Sequence, residues 1–141
     1  MFPSLLGEPF PLLAYPLEMV LAEKLVTMIE RGVTNTRERE FADVVMLCGR
    51  HAVDATDLLA AILATAEHRQ QQISPLRDAL RLLGERRQGD WAAFTGRSGL
   101  GDGLPASYTV VIEHVADFAD PLLDGSVDTG RWDPLKRRWK P

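Results

Sequence analysis

Lys24 is the first residue in this sequence whose position demands a chemical explanation. From Leu17 to Arg31, apolar residues recur at spacings of three and four. At about 100° per residue, Lys24 falls in the middle of that apolar stripe. Leu17, Val20, Leu21 and Met28 lie within about 60° of it on the helical wheel. An unpaired ammonium buried there costs several kcal/mol, so the lysine must snorkel, pair with a carboxylate or face a ligand cleft. Arg31 follows on nearly the same face, about 10 Å along the axis. Two cations so spaced could grip a polyphosphate. They could equally be a snorkelling lysine and an arginine favoured by the helix dipole.

The segment Arg37-Glu38-Arg39-Glu40-Phe41-Ala42-Asp43 supplies counter-charge. Glu40 and Asp43, three residues apart, point to one side of a helix, beside an apolar face of Phe41, Val44, Val45 and Cys48. A lysine facing one or two carboxylates at a cleft edge suits phosphoryl or nucleotidyl transfer. The lysine neutralises phosphate charge, and a carboxylate orients the lysine or takes a proton from the attacking hydroxyl. The same residues also make an ordinary structural charge network. Other candidates carry less. His51, His68 and His114 have no metal-ligand spacing, and Cys48 reads as inert core. The stretch from Ser98 to Gly103 is rich in glycine but lacks the Lys-Ser/Thr of a P-loop and follows no clear strand, so it reads as a loop. From Arg131 to Lys140, bases alternate with Trp132 and Trp139, a pattern that either stacks on nucleic acid or folds its tryptophans back onto the body.

The elements that must position these groups are helices, because period-two alternation is scarce. The spacing predicts helices over 17–31, ended by Gly32; 37–48, ended by Gly49; 56–69, capped by Asp54 or Thr56; and 75–83, capped by Ser74 and ended by Gly84. A short helix is expected over 91–95, a glycine loop over 96–103, and a last helix over 106–119. The β-branched run 108–112 in that last helix could instead be a strand. The expected fold is mainly α, a bundle of five to six helices in which short links make successive helices antiparallel neighbours. Residues 1–16, apolar and proline-rich, read as an extended arm or connector, 17–130 as the bundle domain and 131–141 as a basic tail.

The chain has 141 residues with 45% hydrophobic and 26% charged residues, which excludes a mostly disordered chain. Its net charge of −4 excludes an overall basic footprint for nucleic acid but not a local patch. One cysteine allows no internal disulfide and no zinc site built on several thiolates, and points to a reducing compartment. No apolar run approaches the roughly 20 residues of a membrane span, and the start has no basic region of a signal peptide.

At residues 15–50 the sequence resembles the AbiEii-type nucleotidyltransferase toxin family of toxin–antitoxin and abortive-infection systems. The resemblance is carried by Tyr15-Pro16-Leu17-Glu18-Met19-Val20-Leu21-Ala22-Glu23-Lys24-Leu25, then Arg31-Gly32, then Arg37-Glu38-Arg39-Glu40-Phe41-Ala42-Asp43-Val44. It implies a two-lobed cytoplasmic enzyme that uses a nucleoside triphosphate (NTP) and Mg2+, some members extending tRNA. Lys24 matches the family lysine that contacts the triphosphate. Asp43 matches the second acid, and Glu40 stands where the family usually has aspartate. Arg31, Arg37 and Arg39 are the expected substrate-binding cations. The resemblance also implies an N-terminal α/β lobe with a Gly-Ser motif and a metal-binding aspartate, which nothing in this chain matches. The expectation is therefore a C-terminal lobe, truncated and inactive alone, that holds no metal by itself. The alternative is a non-catalytic helical module that binds an antitoxin, the N-terminal lobe or RNA.

Overall fold

The computed structural model describes residues 15–99 and 103–141, so most of the expected N-terminal arm, and residues 100–102 of the glycine loop, lie outside the described residues. The described chain is mainly helical. It runs α1 (Leu17–Arg31), a 3-10 turn (Gly32–Thr34), α2 (Glu38–Arg50), β1 (Val53–Asp54) and α3 (Ala55–His68). Then come α4 (Leu76–Ala79), α5 (Leu83–Arg86), α6 (Gln88–Ser98), α7 (Tyr108–Leu123), β2 (Arg131–Asp133) and β3 (Arg138–Lys140). No described helix is long and apolar enough to cross a membrane.

The first helix forms as expected. The Pro16 carbonyl accepts from the Met19 and Val20 amides, and Gly32 ends the helix at φ 52°, a conformation that favours glycine. α3 is capped by Asp54, whose carboxylate accepts from the Asp57 amide at 2.9 Å.

Several boundaries differ from the sequence reading, each for a tertiary reason. α2 continues through Gly49 to Arg50. Gly49 is a contact residue, since a methyl group there would sit 3.2 Å from Arg137 Nη2. The predicted helix 75–83 is broken into two single turns, and Gly84 belongs to the second. A methyl group on Gly84 would lie 2.7 Å from Thr109 Cα, so the glycine lets α5 approach α7 closely. α4 is capped by the Asp120 side chain, which accepts from the Leu76 and Arg77 amides, and not by Ser74. α6 is longer than expected and takes in Gly96, so the loop begins only at Gly99. The Gln88 side chain anchors its start to Ala106 O and the Tyr108 amide. The run 108–112 is helix: Ser107 Oγ accepts from the Val110 amide and starts α7, which continues past Ala119 through Pro121 to Leu123.

The expectation that successive helices pack side by side is also corrected. α1 packs most extensively on α3, and α2 on α7. The α1–α2 contact is a polar seam, so each helix turns its apolar stripe to another partner. One continuous core results, with Leu25, Phe41, Leu58, Trp91, Tyr108, Phe118 and Trp132 fully or almost fully buried.

The tail is not a free extension. β2 and β3 form an antiparallel hairpin, with Trp132 opposite Trp139, and β2 pairs with β1, with Val53 opposite Trp132. Trp132 Nε1 donates to Cys48 O at 2.7 Å, and Trp139 Nε1 donates to Phe118 O at 2.9 Å. The rings of Phe118, Trp132 and Trp139 lie 4.9–5.4 Å apart. Both tryptophans are therefore committed to packing against the helices and are not free to stack on bases.

Candidate active site

The seam between α1 and α2 opens into a cleft of about 350 Å³. Lys24 forms one wall, and the start of α2 from Thr36 to Glu40, with Asp43, forms another. Phe94 of α6 closes the third side.

The backbone enters α2 through a fixed corner. Asn35 is fully buried, and its Oδ1 accepts from the Arg37 amide at 2.7 Å. Glu38, in the first turn, is buried and receives Arg87 Nε at 2.7 Å, while Arg87 Nη1 lies 3.5 Å from Asp90. This pairing ties α2 to the start of α6. Hydrogen bonding to Glu38 holds the Arg87 guanidinium above its ordinary pKa. With that turn fixed, Glu40 and Asp43 project towards α1.

Lys24 Nζ lies 3.1 Å from Asp43 Oδ2 and 3.6 Å from Glu40 Oε2. Its side chain keeps 19% exposure, so the ammonium sits at the edge of the core and in the cleft wall. Lys24 thus both pairs with carboxylates and faces a cleft. The carboxylates are only partly satisfied. Asp43 is 4% exposed, and its Oδ1 is buried with no hydrogen-bond partner. Glu40 Oε2 has no hydrogen bond either, only the longer ion-pair contact. Buried acceptors of this kind carry an uncompensated desolvation penalty.

The substrate-binding candidates separate. Arg37 lines the cleft, half exposed, with Nη1 3.9 Å from Glu40 Oε1. Arg39 also lines it, its guanidinium 5.5 Å from the centre of the Phe94 ring. Arg31 is not among the residues lining the cleft. It stands in the last turn of α1, and its Nε is buried without a hydrogen-bond partner. Sequence reasoning missed Phe94, Asn35 and the Glu38–Arg87 tie. Asn35 before a charged helix start is a readable turn signal, whereas Phe94 and Arg87 reach the site only through the packing of α6.

Cys48 is fully buried, and burial pushes its thiol up to about 11, against the smaller opposing effect of Arg137. It is no nucleophile at neutral pH. Among the described residues, no group of three or more His, Cys, Asp or Glu could hold a metal ion. The two cleft carboxylates already hold the Lys24 ammonium between them. The described residues alone do not fit a magnesium ion. They do fit an anionic ligand, since three cations, Lys24, Arg37 and Arg39, line the cleft for phosphate oxygens.

A family model described as nucleotidyl transferase AbiEii toxin, type IV TA system, matches residues 1–118. That span contains Lys24, Glu40, Asp43 and Phe94 and stops short of the hairpin. No curated protein and no solved structure matches the chain.

Proposed function

The chain belongs to the AbiEii nucleotidyltransferase toxin family of type IV toxin–antitoxin systems, and from that premise we propose that its helical body is the triphosphate-binding lobe of a nucleotidyltransferase acting on RNA, with tRNA as the acceptor. The observation that carries this reading is Lys24 held between two incompletely satisfied carboxylates on a cleft wall.

In this reading Lys24 turns from Asp43 to the phosphates of an NTP and neutralises their charge. Arg37 and Arg39 flank the same anion, and Arg31 contacts the substrate from the end of α1. A hydroxyl oxygen of the RNA end attacks the α-phosphorus. The new O–P bond forms as the bond to pyrophosphate breaks, and Asp43 or Glu40 accepts the hydroxyl proton. A magnesium ion would supply further charge stabilisation on the phosphates, and in this reading its carboxylate ligands would come from outside the described residues, so that the helical lobe works with a complementing lobe. Membership of a toxin–antitoxin family implies an antitoxin counterpart. The reaction belongs in the cytoplasm, where NTP and tRNA meet.

The test is incorporation of labelled nucleotide into tRNA by the lobe together with its complementing lobe, for wild type and Lys24→Ala. The expected outcome is a loss of at least about a hundredfold, with cooperative unfolding preserved. Full activity in Lys24→Ala overturns the proposal. The second reading is a binding module without catalysis, in which the Lys24 cleft holds a ligand and no transfer follows. Binding of NTP or tRNA with no transfer in the complemented protein would select it.

A further inference from the structure

The last eleven residues carry charge of the opposite sign to the rest of the molecule. Five of the chain's 16 lysines and arginines fall between Arg131 and Lys140 with one acid, Asp133, in a chain of net charge −4. The strand pleat sorts them. Trp132 and Trp139 turn inward, while Arg131, Arg138 and Lys140 are exposed on the outer face. Arg131 stands opposite Lys140, and Arg138 lies two residues along β3, about 7 Å away. Lys136 is exposed in the turn, and Arg50 is exposed at the nearby end of α2. Asp133, opposite Arg138 in the register, pairs with Lys140 Nζ at 2.9 Å. Asp54, beside Arg131 in the register, uses its carboxylate to cap α3. Arg131, Lys136 and Arg138 have no ion pair among the described residues.

The platform under these cations is rigid. Both indole N–H groups are bonded to helix carbonyls, and Asp133 accepts from the Leu135 and Lys136 amides in the turn. What such a face binds follows from what it lacks. Protein interfaces centre on apolar or aromatic side chains. Here the tryptophans are spent in the core, and Leu135, 91% exposed at the turn, is the hairpin's one exposed large apolar side chain. Base stacking is closed for the same reason. What is left is three cations without an ion pair among the described residues, Arg131, Lys136 and Arg138, two of them guanidinium forks suited to phosphate oxygens.

We propose that the outer face of the β2–β3 hairpin is a docking surface for the phosphodiester backbone of RNA. It rests on the reading above that the acceptor is an RNA. α2 links the two sites: Gly49, under Arg137, and Glu40, in the cleft, are about 14 Å apart along one helix. The hairpin grips the RNA body without reading its sequence, and the cleft receives its end.

The test is fluorescence polarisation of a labelled single-stranded RNA oligonucleotide, titrated with the full chain at several salt concentrations. Wild type should bind, with affinity falling steeply as salt rises. Arg131→Glu/Arg138→Glu should weaken binding at least about tenfold and flatten the salt dependence. Arg131→Gln/Arg138→Gln should fall between them and stands in if the charge reversal unfolds the chain. No RNA binding by wild type at low salt overturns the proposal, as does an unchanged Kd in both variants. Capture of an acidic protein by this face in place of RNA also overturns it. NTP binding, measured separately with Lys24→Ala, keeps the two readings apart. If the hairpin binds RNA while the cleft binds no NTP, the transferase reading fails and this one stands.

Discussion

Two buried aspartates show how differently one side chain can be used in this molecule. Asp120, in α7, is 7% exposed. Its Oδ1 accepts from the Leu76 amide at 2.6 Å, its Oδ2 accepts from the Arg77 amide at 3.1 Å, and Arg77 Nη1 stands 3.9 Å away. Asp43, in α2, is 4% exposed; one oxygen meets Lys24 and the other meets nothing. The first carboxylate is a finished joint between α4 and α7. The second stays incomplete in a cleft beside a lysine it must share. A buried acid satisfied at both oxygens holds structure together, whereas one left half satisfied beside a cleft keeps an unmet acceptor next to its lysine.

Substitution can break this comparison. Asp43→Asn should cost the complemented enzyme at least about a hundredfold in nucleotide transfer while moving the melting temperature little, because one partner is lost and the Lys24–Glu40 contact remains. A large loss of stability with intact transfer would make Asp43 the structural acid. Asp120→Asn should do the reverse, lowering the unfolding free energy by about 2–3 kcal/mol as a charged acceptor is lost at a helix start. Urea unfolding reads that difference. Gly84→Ala tests the same side of the molecule and should cost about 1–3 kcal/mol, since the methyl group meets the Thr109 backbone. Gly96→Ala, helical and with open space around it, should instead stabilise by about 0.5–1 kcal/mol.

A subtler contrast lies in pH. Burial raises the Asp120 carboxyl above its ordinary value, despite the two amides and Arg77. The proton-linked part of its contribution to stability is therefore fully present below the ordinary value and is lost as pH rises through the raised one, while the two amide bonds remain to the charged form. Asp133 goes the other way. The hydrogen bond from Lys140, helped by the Lys136 amide, holds it down to about 2. Its contribution is present above the ordinary value of 3.8 and is lost as pH falls towards about 2. Emission from Trp132 and Trp139 on acidification should thus report loosening of the hairpin in that window, and Asp133→Asn should flatten the response. An unchanged profile in the variant would show that the Lys140 pairing does not hold the hairpin.

The charge cluster at Lys24 was more legible in the sequence than the frame around it. Lys24 in an apolar stripe and two acids three residues apart are local patterns, and helix geometry turns them into a charge cluster. Phe94 and Arg87 could not be read this way, because α6 reaches the cleft only after α2, α6 and α7 have packed. The glycines misled for a related reason. Gly49 and Gly84 look like helix stops, yet each makes room for a neighbour, Arg137 or Thr109. The hairpin escaped notice because strands of three residues give too little alternation to detect, and its cause lies in partners such as Phe118 and Cys48 far away in sequence.

The position of that hairpin also sets an order of events during synthesis. β2 completes a sheet begun at Val53, and its Trp132 seals against the Cys48 carbonyl across a separation of 84 residues. All the helices are made before this strand leaves the ribosome. Until it does, the Phe118 ring and the end of α2 lie open, and the nascent lobe exposes apolar surface that only the finished chain covers. Closure of the aromatic cap is thus a late step in the maturation of the lobe, and a chain interrupted before Arg131 would meet the cell's chaperones and proteases with its core uncovered.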